Sequence, residues 1–230
     1  MHYKDWEPYY KKIINDLKIN SEKDKDATSI LNSILKNKKI ITKKKLEDLI
    51  NNKEIIIFGA GNTLEKSILK HKKIIENKIK ISADGATSAL LKHNIIPQII
   101  ITDLDGKISD IQYANKKGSI VAIHAHGDNI EKIKNFVKNF NGKIFGTTQI
   151  DPKNYEKLYN FGGFTDGDRA IFLAIHFKAK KIFLTGFDFD GNIGEYSFAD
   201  KKDKNKKHKK LKWCKFFIEL LSKENNIKTI

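Results

Sequence analysis

The chain has 230 residues, and 44 Lys and Arg against 28 Asp and Glu give it a formal charge of +16. That length suffices for one three-layer core, or for one domain with a small appendage. No apolar run reaches the roughly 18 residues of a membrane span, and the amino terminus is charged rather than signal-like, so the expectation is a soluble, cytoplasmic protein with no membrane partner.

A single cysteine, Cys214, excludes an internal disulfide and a cysteine zinc cluster; its neighbours Trp213, Phe216 and Phe217 read as buried apolar company. Arg169 is the only arginine in the chain, although base readout and bidentate phosphate recognition favour arginine. The lysine excess therefore reads as compositional bias, which argues against nucleic acid as the partner. A small polyanion such as a nucleoside triphosphate fits the charge equally well.

Residues 1 to about 52 read as a helical cap. Trp6, Tyr9, Tyr10, Ile13, Ile14 and Leu17 recur at helical spacing and form one packing face. Ser21 to Asp26 reads as a turn, Asp26 or Thr28 can cap a second helix through Leu31 and Leu35, and a third runs from about Lys43 to Ile50. From 53 to 230 strands alternate with helices: Ile55 to Phe58, Lys78 to Ser82, Ile99 to Thr102, Ile120 to Ile123, Lys143 to Phe145 and Lys181 to Leu184 are the strands. The fold class is α/β, a Rossmann-like, mostly parallel sheet with helices on both faces. Ser197 to Lys212 carries eight lysines between 201 and 212 and reads as an exposed loop or lid, ahead of a final helix from Leu211 to Leu221.

The strand ends share a chemistry. They carry Gly59-Ala60-Gly61-Asn62, Asp84-Gly85, Asp103-Leu104-Asp105-Gly106, His124-Ala125-His126-Gly127-Asp128, Gly146-Thr147-Thr148-Gln149 and Asp188-Phe189-Asp190-Gly191. In a parallel sheet all of these lie on one edge, where open α/β sheets bind ligands. Carboxylates two residues apart repel each other unless a cation lies between them, and Mg²⁺ is the usual hard cation for Asp103 and Asp105. Glycines after the first strand let backbone N–H groups approach a phosphate, but the third glycine of the dinucleotide fingerprint is missing. His124 and His126 can orient substrate or bind Zn²⁺ with Asp128.

The ordered set Ala83-Asp84-Gly85-Ala86-Thr87, Thr102-Asp103-Leu104-Asp105-Gly106, His124 to Asn129 and Gly162-Gly163-Phe164-Thr165-Asp166-Gly167-Asp168-Arg169 resembles the archaeal 6-hydroxymethyl-7,8-dihydropterin pyrophosphokinases. It is more distantly similar to thiamin pyrophosphokinases, over about residues 54 to 195. The thiamin enzymes carry an aspartate pair with a following serine; here that serine is Gly106, and their Thr-Asp pair at the next strand end is Gly127-Asp128, which favours the pterin branch. The resemblance implies a Mg²⁺- and ATP-dependent diphosphotransferase that acts on a reduced pterin, releases AMP and serves tetrahydromethanopterin or folate synthesis. A homodimer is an expectation from the thiamin relatives alone.

The resemblance gives the metal role to Asp103 and Asp105, with Asp84 and Asp128 as additional ligands or partners. Asp103, Asp105, Asp128 and Arg169 are the candidate catalytic residues. Gly59, Gly61, Asn62, Asp84, Gly85, His126, Gly127, Thr147, Gln149, Asp166, Asp168 and Asp188 are the candidate nucleotide and substrate contacts. Arg169 either clamps phosphate or bridges Asp166 or Asp168. Two other classes compete: a metal-dependent glycosyltransferase, which also uses Asp-x-Asp after a strand, and a lysine-rich nucleic-acid binder.

Overall fold

The computed structural model describes residues 2–189, 194–197 and 204–230. Asp190 and Gly191 of the last strand-end motif, and residues 198–203 of the lysine-rich segment, lie outside them. Among the described residues no helix is long and apolar enough to cross a membrane.

Eight strands form one all-parallel sheet in the order β6-β5-β4-β3-β2-β1-β7-β8. They are β1 (Glu54–Phe58), β2 (Ile79–Ala83), β3 (Ile99–Thr102), β4 (Ile120–Ala125), β5 (Ile144–Thr148), β6 (Leu158–Tyr159), β7 (Lys181–Thr185) and β8 (Ile227–Thr229). The chain winds outward from β1 to β6 and then returns to lay β7 on the other side of β1. That reversal puts the topological switch point between β1 and β7, where the crevice at the strand ends opens.

Continuous Ile-rich strands follow from burial on both faces. Ile55 and Ile57 point into one core with Leu46 and Ile50 of α3 (Lys43–Ile50) and Ile171 of α9 (Asp166–His176). Ile56 and Phe58 point the other way, onto α4 (Leu64–Lys70), α5 (Lys72–Glu76) and α6 (Ala86–Lys92). The same face continues under α7 (Ile108–Lys116), α8 (Ile130–Phe136) and α2 (Ser21–Lys36), whose Leu31 and Leu35 are fully buried against Val121, Ile123 and Ile144. The amino-terminal helices thus share the sheet's cores. In α1 (Tyr3–Leu17), Trp6 is packed between Phe172 and Phe217 and donates its Nε1–H to the Gln149 carbonyl at 3.1 Å.

Several boundaries differ from the sequence reading, and two short strands escaped it. Helix α2 starts at Ser21, capped by Asn20, whose side chain accepts from Glu22 N, so the expected polar turn over 21–26 is helical. Strand β4 runs through His124 to Ala125, which puts His124 inside the sheet rather than in the loop after it. The short strands β6 and β8 carried too few residues to show a period. Helix α10 (Lys204–Ser222) begins well before Leu211, so the lysine-rich loop is helical from Lys204 onward. Lysine is a good helix former, and Lys206 and Lys209 shed part of their mutual repulsion onto Asp128 and Asp16, at 3.2 and 2.8 Å.

If the amino-terminal helices are part of this core, Trp6→Ala destabilises the whole domain by about 3–5 kcal/mol, while Leu69→Ala, at a side chain 66% exposed, changes stability by less than about 0.5 kcal/mol. Denaturant unfolding of both variants checks the contrast.

Candidate active site

The switch point is built by two backbones that touch. Gly59 N donates to the Thr185 carbonyl and Gly61 N to the Gly186 carbonyl, both at 2.9 Å. A Cβ on Gly59 would fall 2.5 Å from the Gly186 oxygen, and Gly186 itself sits at φ +70°, so both positions need glycine. Asp188 accepts from Thr63 N and Thr63 Oγ1, each at 2.7 Å, and locks the strand-end loop of β7 to the start of α4.

Beside this glycine floor, three carboxylates meet. One oxygen each of Asp84, Asp103 and Asp166 lie within 4.8 Å of one another. Asp84 follows β2 in a left-handed conformation, φ +40°, and accepts from Thr102 Oγ1. Such a conformation is strained for aspartate and aims its side chain where an extended residue could not. Asp103 follows β3 and Asp166 opens α9, the crossover helix into β7.

The electrostatics are those of a site short of positive charge at its centre. Burial, then the charge of Asp103, pushes the Asp84 carboxyl well above the ordinary carboxylate range. Burial and Asp103 do the same to Asp166, against the pull of Arg169. Asp103 goes the other way: burial pushes it up, but the hydrogen bond and charge of His126, with Lys210 and Arg169 beyond, hold it below the ordinary range. Three partly buried carboxylates with oxygen-only chemistry suit a hard divalent cation that keeps part of its water shell.

A cavity of about 660 Å³ runs over this cluster. Its lining includes Gly59, Gly61, Gly186, Phe187 and Asp188 at the switch point, Asp84, Gly85, Asp103 and Asp166, and also Lys132 with Lys206, Lys207 and Lys210 of α10. Asp105 and Asp128 also line it, each engaged by a lysine: Lys132 Nζ to Asp105 at 2.5 Å and Lys206 Nζ to Asp128 at 3.2 Å. A smaller cavity of about 210 Å³ adjoins it and is lined by His126, Gly127 and Gln149, with Asp103 and Arg169 belonging to both. Arg169 donates from Nη1 to Asp166 at 3.1 Å and from Nη2 to Gln149 Oε1 at 3.4 Å; its buried Nε has no partner.

Three sequence candidates line neither cavity. Asn62 is exposed beyond Gly61. Thr147 is buried in β5, its hydroxyl 3.0 Å from His124 Nδ1. Asp168 spends its carboxylate on Phe164 N and Thr165 N, both at 2.7 Å, which shapes the turn into α9. Among the described residues the potential metal-ligand group is Asp84, Asp103 and Asp166, so His124, His126 and Asp128 are not assembled as a zinc site. Burial, with the charges of Arg169 and His126, pushes the His124 imidazole well below its ordinary value. His126 Nε2 faces Asp103 Oδ2 at 3.3 Å while its Nδ1 accepts from Asp128 N at 3.2 Å.

Four site features were missed. Lys132 lies on a solvated helix face with no motif to mark it. Thr63 and Phe187 acquire their places only through the close pairing of β1 with β7. Asp24, fully buried, accepts from Tyr10 Oη at 2.6 Å, Gln149 Nε2 at 2.7 Å and Gly127 N at 2.7 Å; the sequence hid it inside the expected polar turn over 21–26.

The raised carboxyls make stability fall with pH. Folded Asp84 and Asp166 hold protons above the unfolded value of 3.8, so their contribution is full below about pH 4 and is lost as pH rises through their folded values. Asp103 acts oppositely: its contribution is full above 3.8 and is lost as pH falls below that value. Metal-free protein is therefore expected to lose melting temperature from about pH 4 toward neutrality, and Asp166→Asn to flatten that slope; calorimetry across pH, in chelator, reads both.

Comparison with known proteins places the chain. The family profile described as "6-hydroxymethylpterin diphosphokinase MptE-like" matches residues 31–193. A 6-hydroxymethyl-7,8-dihydropterin pyrophosphokinase of Methanocaldococcus jannaschii is 45% identical, covering 96% of both chains. The protein of the same name from Pyrococcus furiosus is 40% identical over 100% of this chain and 98% of its own, and that of Methanothermobacter thermautotrophicus is 38% identical over 87% and 84%. Among solved structures, the MAf glycosyltransferase of Magnetospirillum magneticum aligns at a TM-score of 0.44 and 12% identity, covering 71% of this chain and 28% of that one, a likeness too low to bear on function. The chain belongs to the 6-hydroxymethylpterin diphosphokinase MptE-like family.

Proposed function

We propose that this protein transfers the β,γ-diphosphate of ATP to the hydroxymethyl oxygen of 6-hydroxymethyl-7,8-dihydropterin, with Mg²⁺, giving the pterin diphosphate and AMP on a route to tetrahydromethanopterin or folate. Cytoplasmic location and a homodimer are parts of the same proposal. Family membership supports the substrate class. The observation that carries the chemistry is the carboxylate cluster of Asp84, Asp103 and Asp166, set between a glycine floor and a row of lysines.

The alcohol oxygen bonds to the β-phosphorus, the bond from that phosphorus to the oxygen bridging it to the α-phosphate breaks, AMP leaves with that oxygen, and the hydroxyl proton passes to solvent. Such a transfer asks for positioning and charge rather than covalent help. Gly59, Gly61 and Gly186 let the nucleotide lie close to the backbone at the switch point. Lys132, Lys206, Lys207 and Lys210 supply positive charge over the polyphosphate, and the amino-terminal end of α9 faces the same space. Mg²⁺ would be held by Asp103 with Asp84 and Asp166, and by Asp105 as a further ligand, and would neutralise phosphate charge. His126 orients Asp103: its Nδ1 accepts from Asp128 N, which turns Nε2 toward Asp103 as the donor. Arg169 keeps Asp166 turned into the cluster.

Incubation with ATP, Mg²⁺ and 6-hydroxymethyl-7,8-dihydropterin is expected to yield AMP in equal amount to pterin diphosphate; ADP as the nucleotide product would contradict diphosphate transfer. Asp103→Asn and Asp166→Asn are each expected to lower kcat by about 100-fold or more while the melting temperature holds or rises, because like-charge repulsion is relieved. Arg169→Lys keeps the charge, but one ammonium cannot span Asp166 and Gln149. It is expected to slow transfer by about tenfold or more and to lower the melting temperature by a few degrees, roughly 1 kcal/mol.

A further inference from the structure

We propose that the smaller cavity is the seat of the acceptor, a planar bicyclic nitrogen heteroaromatic with a hydroxymethyl arm, and that the turn between α1 and α2 is its specificity wall. The inference deepens the transfer reading above and rests on it.

Three observations carry it. The first is placement. The two cavities share Asp103, Asp128, Phe164, Arg169, Lys206 and Lys210, and the switch-point glycines line only the larger one. Displacement at phosphorus needs the attacking oxygen and the leaving group on opposite sides, so a nucleotide lying over Gly59 and Gly186 calls for an acceptor beyond Asp103. The second is size. About 210 Å³ holds a double ring of about a dozen atoms but not a nucleoside triphosphate, whereas about 660 Å³ takes the nucleotide.

The third is the lining. The floor is buried and polar: Gln149 is 3% exposed, Asp24 is fully buried and Arg169 is 7% exposed. Arg169 Nε is buried without a partner, and Gln149 Oε1 meets Arg169 Nη2 at a long 3.4 Å, so a donor and an under-used acceptor stand at the junction for the edge of a heterocycle. The Phe164 ring offers an apolar face, with Lys210 Nζ 5.9 Å from its centroid. The mouth is walled by exposed Lys18 and Lys23 with Ile19 and Asn20 between them, so the segment joining the first two helices touches whatever enters.

The floor is also fixed in place. Asp24 binds Gln149 Nε2 and Gly127 N at 2.7 Å each, so the same carboxylate sets the far wall and, through Gln149 and Arg169, the arm that reaches Asp166. An acceptor seated here would be registered against the carboxylate cluster by a continuous buried network.

Hydrogen exchange of the wild-type protein tests the placement without chemistry. Oxidised 6-hydroxymethylpterin alone is expected to slow exchange in residues 18–24 and 126–129, and a non-hydrolysable ATP analogue alone in residues 59–64. In steady state, Ile19→Trp, which fills the mouth, and Gln149→Leu are each expected to raise KM for the pterin about tenfold while KM for ATP stays within about twofold. Pterin protection at 59–64 in place of 18–24, or a rise in ATP KM with pterin KM unmoved, would overturn the placement. If AMP and pterin diphosphate form while 18–24 stays unprotected, the placement fails and the transfer reading stands. If neither product forms, the transfer reading itself fails.

Discussion

Three carboxylates that repel one another are held within 4.8 Å by three different elements. Holding them so costs free energy in the absence of a cation, and the surrounding structure supplies the restraint. Thr102 fixes Asp84 in a left-handed turn, His126 fixes Asp103, and Arg169 fixes Asp166. Behind them stands the buried Asp24 network, which reaches back to Tyr10 in the first helix. The amino-terminal helices are thereby tied to the chemistry as well as to the core, and a substitution near Trp6 is felt at the site through Gln149.

The parallel sheet explains why so many acidic residues can converge in a strongly basic chain. Every strand delivers its carboxyl end to the same edge, and the reversal between β1 and β7 opens a crevice there. The crevice is lined by glycines, by Phe164, Phe187 and Phe189, and by four lysines, a mixture that suits a nucleotide's base and phosphates. The lysines come from α8 and from α10, which lies across from the sheet edge. Their charge is local to the site and is a better account of its basicity than the chain-wide value of +16.

Much of this was legible in the residues. Apolar runs bounded by glycine and aspartate marked the central strands, and the uniform acidity of their ends marked the edge. What escaped was whatever depends on a neighbour. Asp166 read as a nucleotide or substrate contact and not as a partner of the metal carboxylates, because Asp84 and Asp103 lie 82 and 63 positions away in the chain. Thr147 and Asp168 looked like ligand contacts by their polar neighbours, yet the first faces His124 and the second caps its own turn. Asp24 fell in a stretch that reads as a polar turn, and its meaning appears only once Gln149 and Gly127 are beside it. The lysine-rich stretch was read by charge, while helix propensity and the anchoring of Phe217 decided its form.

The account turns on the cluster being a divalent-cation site. Electron paramagnetic resonance of Mn²⁺, titrated with protein and a non-hydrolysable ATP analogue, measures that occupancy directly. Wild-type protein is expected to remove about one Mn²⁺ per chain from the free signal beyond what the analogue binds alone, and Asp103→Asn to remove none. Equal uptake by the folded Asp103→Asn variant would contradict the claim.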